Sequence, residues 1–484
     1  MKAVVVSIFR AGVNAVRPSS LVKNVIAVTE NELIVDGRTY TLNHNIHVVG
    51  FGKAVAGMCA AAEDLLGDHL LQGVASIPNG ALQAFGENGL QNEFPQPHSR
   101  IQYLEGARNN LPDDDACATA SKIEALARKL NHQDILVVMV SGGGSALLPA
   151  PVDSISLADK LSVVKQLSLA GASIDELNTV RQHLSRLKGG GLARAAYPAK
   201  VITFIISDIV GNDLQFIASG PTVPCLTSAK NAMDILMNHH IQVPQSVTSY
   251  LSSTPQVDMA SAGFSHVQHV LVGENGMAFE AARLKAKELG CNALILRKDV
   301  QGEAERIGVA MATLTSLFIT TDDPTSKLAA NHDALWQSLL VPREHVTKLV
   351  NGVKMASEKP LCLIWGGETT VTVKNKQGKG GRNQEMVLSF LLEMSNMKIV
   401  GAKSRNFTFL SCGTDGQDGP TDSAGAIVDQ CDVLLAGSHG DTMERMLAEN
   451  NSYQFFQEFQ DGSCHVKTGL TGVNVMDIQL LKIG

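Results

Sequence analysis

The sequence predicts an α/β protein of two domains: an N-terminal, doubly wound, Rossmann-like parallel sheet over residues 1–255 and a C-terminal α/β region over residues 256–484. Three observations predict it. Short, wholly apolar runs alternate with longer amphipathic stretches, as buried parallel strands alternate with covering helices. Many of these runs end in glycine-rich turns, among them GFGKA at 50–54, SGGGS at 141–145 and GGE at 366–368. The chain is 484 residues long, more than one simple core accommodates.

Composition agrees. Hydrophobic residues make up 44% and charged residues 18%, as in ordinary globular domains. Aromatics are only 5% against 43 glycines, which favours aliphatic layers with many strand–loop turns over a stacking platform for single-stranded nucleic acid. The net charge of −7 supplies no pull toward nucleic acid or an anionic membrane, and no apolar run reaches the ~20 residues that span a bilayer. The opening residues MKAVVVSIFRAGVNAVRP are basic and lack acids through Thr29. They read as an ordinary packed helix, with a mitochondrial presequence as the alternative. The eight cysteines are scattered without a C-x-x-C, the pattern of reduced thiols in an intracellular protein; the expected location is cytoplasmic.

In chain order, a strand at 46–49 enters Gly50-Phe51-Gly52-Lys53 and an Ala-rich helix follows. A strand is expected at 74–77. Pro112 and Asp113–Asp115 open a helix, since proline suits a first turn and acids suit the positive end of the helix dipole. The strand Ile135–Val140 comes next, then helices over Leu157–Leu169 and 174–186, and the strand Lys200–Ile206 ending at Ser207-Asp208. The second domain is expected to begin with a strand at 269–272, a helix at 278–289 and a strand at 293–296. A polar, Thr-rich loop is expected at 313–327, with helical patterns toward residue 353. Strands at 361–365, 370–374 and 407–411 and a helix at 383–397 complete the reading.

The chemistry-bearing residues gather at the strand ends. Ser141, Gly142, Gly143, Gly144 and Ser145 form a turn whose backbone N–H groups suit an anion nest, or else a plain tight turn. GFGKAVAG is a near miss to the dinucleotide fingerprint: Val55 replaces its third glycine, and the strand at 74–77 ends without an acid. Lys53 beside that turn suits phosphate oxygens. No G-x-x-x-x-G-K-[ST] is present, and Ser145 fails the nucleophile elbow because Leu147 stands in place of glycine. Asn178 and Arg181 share one helix face, and the guanidinium fork of Arg181 suits a carboxylate. Asp208, Glu368 and Asp415 end strands or begin turns, where carboxylates hold Mg²⁺ or orient a hydroxyl; capping is the alternative for Asp208. Arg382 precedes a helix and suits a transferring phosphoryl group. The histidines show no metal-ligand spacing.

Taken together, GFGKA, VSGGGSALL, ELNTVRQHLSRLKGGGLA, SDIVGNDLQFIASGPTVP, GGETTVTV, GGRNQE, CGTDGQDGPTDSAGAIVD and TGLTGVNVMDIQLL resemble the glycerate kinase family that carries a C-terminal MOFRL domain. The resemblance runs from about residue 8 to 478, with MOFRL at about 358–478, and is closest to the animal members. It departs at Leu470, where the family usually has proline. The resemblance implies an ATP- and Mg²⁺-dependent kinase acting on D-glycerate, with the active site in a cleft between two α/β domains. It also implies Lys53 and Arg382 as the active-site cations. To these the reading adds Ser141–Ser145 as an anion cradle, Asn178 and Arg181 for substrate, and Asp208 to activate the hydroxyl or meet Mg²⁺. Glu368 and Asp415 are further candidates to face metal or substrate, and no metal-ligand set is assigned. The expected partners are small molecules, not nucleic acid or membrane, with the chain a monomer or homodimer. The alternatives are a nucleotide-dependent oxidoreductase of a small hydroxy acid and a non-enzymatic acid-binding module.

Overall fold

The apolar runs of the N-terminal half pair into one parallel sheet, and those of the C-terminal half into a mixed one. The computed structural model describes residues 1–87, 90, 95, 98–254, 264–320, 359–399 and 404–484. The chain divides into two units, Arg17–Glu274 and Met1–Val16 with Asn275–Gly484.

The 17–274 unit begins with helix Pro18–Val25 and a small antiparallel meander, β1 (Ile26–Val28), β2 (Glu32–Val35) and β3 (Arg38–Thr41). Strands this short show no usable periodicity, so the sequence pattern does not reveal them. The main sheet follows: β4 (Ile46–Phe51), β5 (Leu70–Pro78), β6 (Ile101–Gly106), β7 (Ile135–Val140), β8 (Lys200–Ile206) and β9 (Val267–Gly273). Its order is β6-β5-β4-β7-β8-β9 with every adjacent pair parallel. In chain order this is the doubly wound arrangement 3-2-1-4-5-6, whose winding reverses between β4 and β7. Both of those strands are buried along their whole length.

The helices fit their local chemistry. Helix Asp114–Ala127 starts one residue after Asp113, whose carboxylate accepts the Ala116 N–H at 2.9 Å. Asp113 is the N-cap, so Pro112 lies outside the first turn where it was expected. Helix Leu157–Leu169 has the expected bounds. Helix Ile174–His183 is opened by a Ser173/Glu176 capping box and stops short of residue 186. There Ser185 leaves the helix to bridge Pro151. These two helices join Ala229–Asn238 and Gln245–Ser253 around a separate apolar cluster that includes Val163, Leu167, Val180 and Leu236.

Two segments change sides relative to the expected 255/256 boundary. The strand expected at 269–272 to open the second domain is β9, the edge of the parallel sheet, paired with β8. Helix Lys2–Ala15 belongs to the other unit, where it packs on helix Asn275–Glu288 and buries Val5, Ile8, Phe9 and Val13. Sequence periodicity finds such elements; it carries no information on which sheet receives them.

The other unit carries β10 (Asn292–Val300), β11 (Leu361–Gly367), β12 (Phe407–Gly413), β13 (Gly425–Asp429), β14 (His465–Val466) and β15 (Asp477–Ile483), in the order β10-β11-β15-β12-β13-β14. Only β10 and β11 are parallel; the last strand inserts between β11 and β12 and runs antiparallel to both. Helices Ala304–Thr320 and Arg382–Met397 pack together in a core that includes Phe390, Phe407 and Phe409. The strand expected at 370–374 does not form beyond one bridge between Thr370 and Glu303. Side chains take its backbone amides instead: Thr372 N–H donates to Glu303 at 3.2 Å and Lys374 N–H to Asn450 at 2.6 Å. The Thr-rich stretch at 313–320 is helical, not a loop. Thr313, Thr315 and Thr320 return their hydroxyls to carbonyls one turn back, which lets a polar run sit in a helix. The remainder of the expected loop and the helical patterns toward residue 353 lie outside the described residues. All eight cysteines are free thiols.

Candidate active site

In the 17–274 unit, the turns after β4 and β7 meet at the point where the winding reverses, the place where doubly wound sheets bind ligands. Lys53 N–H donates to the Gly142 carbonyl at 2.8 Å, and the buried Ser141 hydroxyl accepts the Ala54 N–H at 2.9 Å. Gly52 lies so close to this serine that an added Cβ would stand 2.2 Å from Ser141 Oγ. Gly143 has φ +79°, the left-handed region, and a Cβ there would stand 3.2 Å from Lys53 Cγ. The glycines therefore permit both the turn and the passage of the lysine stem over it. Among the described residues the Gly142 and Gly143 N–H groups donate to no protein acceptor, as an anion nest requires.

Ser145 and Asn178, distant in sequence, are joined through a residue that the sequence reading missed. Ser219 Oγ donates to Asn178 Oδ1 at 2.9 Å, so the Ser145 hydroxyl donates in turn to Ser219 Oγ at 2.9 Å. That commits the Ser145 proton and agrees with the failed nucleophile motif. A second missed residue is Lys188. It is 2% exposed, and its Nζ donates to the carbonyls of Ser145 at 3.1 Å and Ala218 at 3.4 Å. Burial pushes its ammonium well below the usual lysine range, and the Lys160 and Arg181 charges push in the same direction. Lys160 is also buried, with its Nζ 2.6 Å from the Pro149 carbonyl, and burial pushes it down to about 7. The only sequence trace of Lys188 is the LKGGG that follows helix Ile174–His183, and a lysine beside three glycines reads as a helix end. Asp208 stands half-buried just past β8, at the same end of the parallel sheet as the turns after β4 and β7. No helix starts there, so it caps none.

In the other unit, β15 begins where β11 and β12 end: Asp477 is registered against both Gly367 and Gly413. Arg382, the first residue of helix Arg382–Met397, forms a two-pronged pair with this fully buried carboxylate, Nε to Oδ2 at 2.6 Å and Nη2 to Oδ1 at 2.9 Å. Its Nη1 lies 3.2 Å from Glu368 just past β11. Burial alone would lower the guanidinium, but the Asp477 charge and hydrogen bonds outweigh it and hold Arg382 above its usual range. Asp415 is half-buried after β12, and its Oδ1 accepts the Gln417 N–H at 3.0 Å. Asp418, 2% exposed, accepts the Asn383 and Gln384 N–H groups at 3.0 and 2.8 Å and so caps the helix that Arg382 begins. Burial pushes Asp418 up to about 6 against those hydrogen bonds. Arg382 and Glu368 are thus paired and Asp415 stands in the turn after β12, while Asp477 and Asp418 were not singled out: DIQLL reads as a strand start and DGQDG as a turn. Among the described residues no group of three or more His, Cys, Asp or Glu side chains is placed to hold a metal ion. Among them also, no helix is long and apolar enough to cross a membrane.

Paired glycine turns with nearby cations at the reversal point of a parallel sheet in one unit, and an arginine-centred site on the mixed sheet of the other, define a two-unit α/β enzyme for small anionic substrates. Comparison with known proteins narrows the class. Residues 4–252 match a family described as a domain of unknown function, DUF4147, and residues 361–477 match the MOFRL family. A glycerate kinase of Rattus norvegicus is 42% identical over 98% of this chain and 91% of its own length. One of Homo sapiens is 40% identical over the same shares. The solved structure of a glycerate kinase from Thermotoga maritima is 29% identical, with a TM-score of 0.74, and covers 100% of this chain and 99% of its own. The chain belongs to the glycerate kinase family.

Proposed function

We propose that this chain transfers the terminal phosphoryl group of ATP to a hydroxyl of D-glycerate, releasing ADP and phosphoglycerate. The observation that carries this reading is the likeness to glycerate kinases over 98% of the chain, which spans both candidate sites. A relative from Pyrococcus horikoshii, 31% identical over 96% of the chain, bears the name glycerate 2-kinase, which directs the product assay to the 2-hydroxyl. The site chemistry supports transfer to a small acid. Phosphoryl transfer needs cations and backbone N–H groups around the phosphate oxygens and a base to orient the attacking hydroxyl. Lys53 and Arg382 are the proposed cations on the transferring group, and the 141–145 turn is the proposed cradle. Arg181 receives the glycerate carboxylate, with Asn178 held beside it. Asp208 takes the proton of the attacking hydroxyl.

Mg²⁺ fits this inventory, because it binds mainly through nucleotide phosphates and water and needs only one or two protein carboxylates. Asp208, Glu368 and Asp415 are the proposed ones, and the ion would neutralise charge on the phosphates. The eight free thiols support work in a reducing compartment, the cytoplasm. ³¹P NMR of the product after incubation with ATP, Mg²⁺ and D-glycerate tests the reading: a new phosphate-ester resonance supports it, and inorganic phosphate alone overturns it. Near-normal kcat in both Lys53→Ala and Arg382→Ala would overturn the assignment of the cations.

A further inference from the structure

Arg181, Lys188 and Lys160 form a basic cluster in which, among the described residues, no acid pairs with any of the three. Lys188 Nζ is buried behind the 141–145 turn, and among the described residues it donates hydrogen bonds only to the Ser145 and Ala218 carbonyls. The charged groups acting on it are Lys160 and Arg181, both cations. The neighbouring Arg186 is different, being neutralised by Glu124 at 2.9 Å and Asp153 at 2.7 Å. The Arg181 guanidinium is half-buried and has no hydrogen-bond or ion-pair partner among the described residues. Buried cations are expensive unless a partner or a ligand compensates them. A planar fork with five free donors, backed by further positive charge, matches a carboxylate or phosphate.

We propose that this cluster is the oxyanion subsite of the 17–274 unit. Arg181 touches the ligand's carboxylate or phosphate. Lys188 acts as a positioning residue that pins the Ser145 turn to the Ala218 turn. Only the identity of the ligand group, the glycerate carboxylate and not an ATP phosphate, rests on the phosphoryl-transfer reading above.

The test uses the full chain and the variants Arg181→Gln, Lys188→Met and Lys188→Arg. It measures kcat and the two KM values, together with the thermal upshift given by inorganic phosphate. Arg181→Gln is expected to raise one KM about tenfold or more while the other stays within about threefold. A rise for D-glycerate identifies the carboxylate, and a rise for ATP identifies the phosphate. The phosphate-induced upshift is expected to disappear. Lys188→Met is expected to raise the same KM, and Lys188→Arg to restore most of it, a substrate-selective pattern that a merely structural role would not produce. The proposal is overturned if folded Arg181→Gln keeps both KM values and the phosphate upshift unchanged. A wild-type chain that shows the upshift but no turnover, with the upshift lost in Arg181→Gln, refutes the kinase reading and leaves the subsite standing.

Discussion

Replacing Arg382 by alanine removes the only counter-ion of Asp477 among the described residues, and the Asp477 side chain is fully buried. The carboxylate loses two charge-assisted hydrogen bonds, at 2.6 and 2.9 Å. Breaking a buried pair from one side costs about 3–5 kcal/mol, because the remaining charge is left uncompensated. The Glu368 contact adds little, since that side chain is 48% exposed and surface pairs contribute at most about 1 kcal/mol. At ~2–4 °C per kcal/mol for a unit of this size, the transition of the 275–484 unit should fall by roughly 10 °C. The double variant Arg382→Ala/Asp477→Asn removes the stranded charge and should regain more than half of that loss. Its activity should stay as low as that of Arg382→Ala, because the cation proposed to act on the phosphoryl group is still missing. Calorimetry and an ADP-release assay on the same preparations separate the two effects. The reasoning is refuted if Arg382→Ala melts within about 2 °C of wild type, or if the double variant regains activity.

Three further outcomes follow from the same geometry. Ser219→Ala leaves the Asn178 Oδ1 without its donor at a position 2% exposed, so denaturant titration should show a loss of about 1–3 kcal/mol in the 17–274 unit. Gly143→Ala places a side chain at φ +79° and 3.2 Å from the Lys53 stem; it should destabilise by about 1 kcal/mol or more and raise a substrate KM, measured by steady-state kinetics. Burial pushes Glu385 up to about 7, opposed only in part by its hydrogen bond from Asn450. Its folded pKa lies above its unfolded one, so the folded state holds the extra proton and stability falls as pH rises from about 4.5 to 7. Glu385→Gln should flatten that fall and be more stable than wild type at pH 8 by roughly 1–2 kcal/mol in thermal denaturation across that range.

The continuous apolar runs were the legible part of the fold. β7 and β8 have the bounds read from the sequence, because burial on both faces leaves almost no polar interruption to blur them, and helix Leu157–Leu169 keeps its bounds behind the Ser156 cap. What local patterns omit is pairing. β9 and helix Lys2–Ala15 were recognisable as elements, yet their partners are set by long-range contacts with β8 and with helix Asn275–Glu288. The same division holds for the sites. Lys53, the 141–145 turn and Glu368 stand at strand ends and Arg382 at a helix start, all beside glycines, which mark a backbone that must turn or be approached closely. Lys188, Ser219 and Asp477 act from behind those turns through contacts over 41 to 95 residues of chain. Nothing in their immediate neighbours distinguishes them from a helix end, a turn and a strand start.

The central claim, that this chain phosphorylates D-glycerate, is tested most directly by initial rates of ADP release with D-glycerate, L-glycerate, hydroxypyruvate and simple sugars in parallel, with NAD(P)H absorbance followed alongside. The account predicts ATP-dependent ADP release with D-glycerate well above every other compound, and no change in NAD(P)H. Equal rates with and without D-glycerate, or turnover of NAD(P)H with hydroxypyruvate, would contradict it.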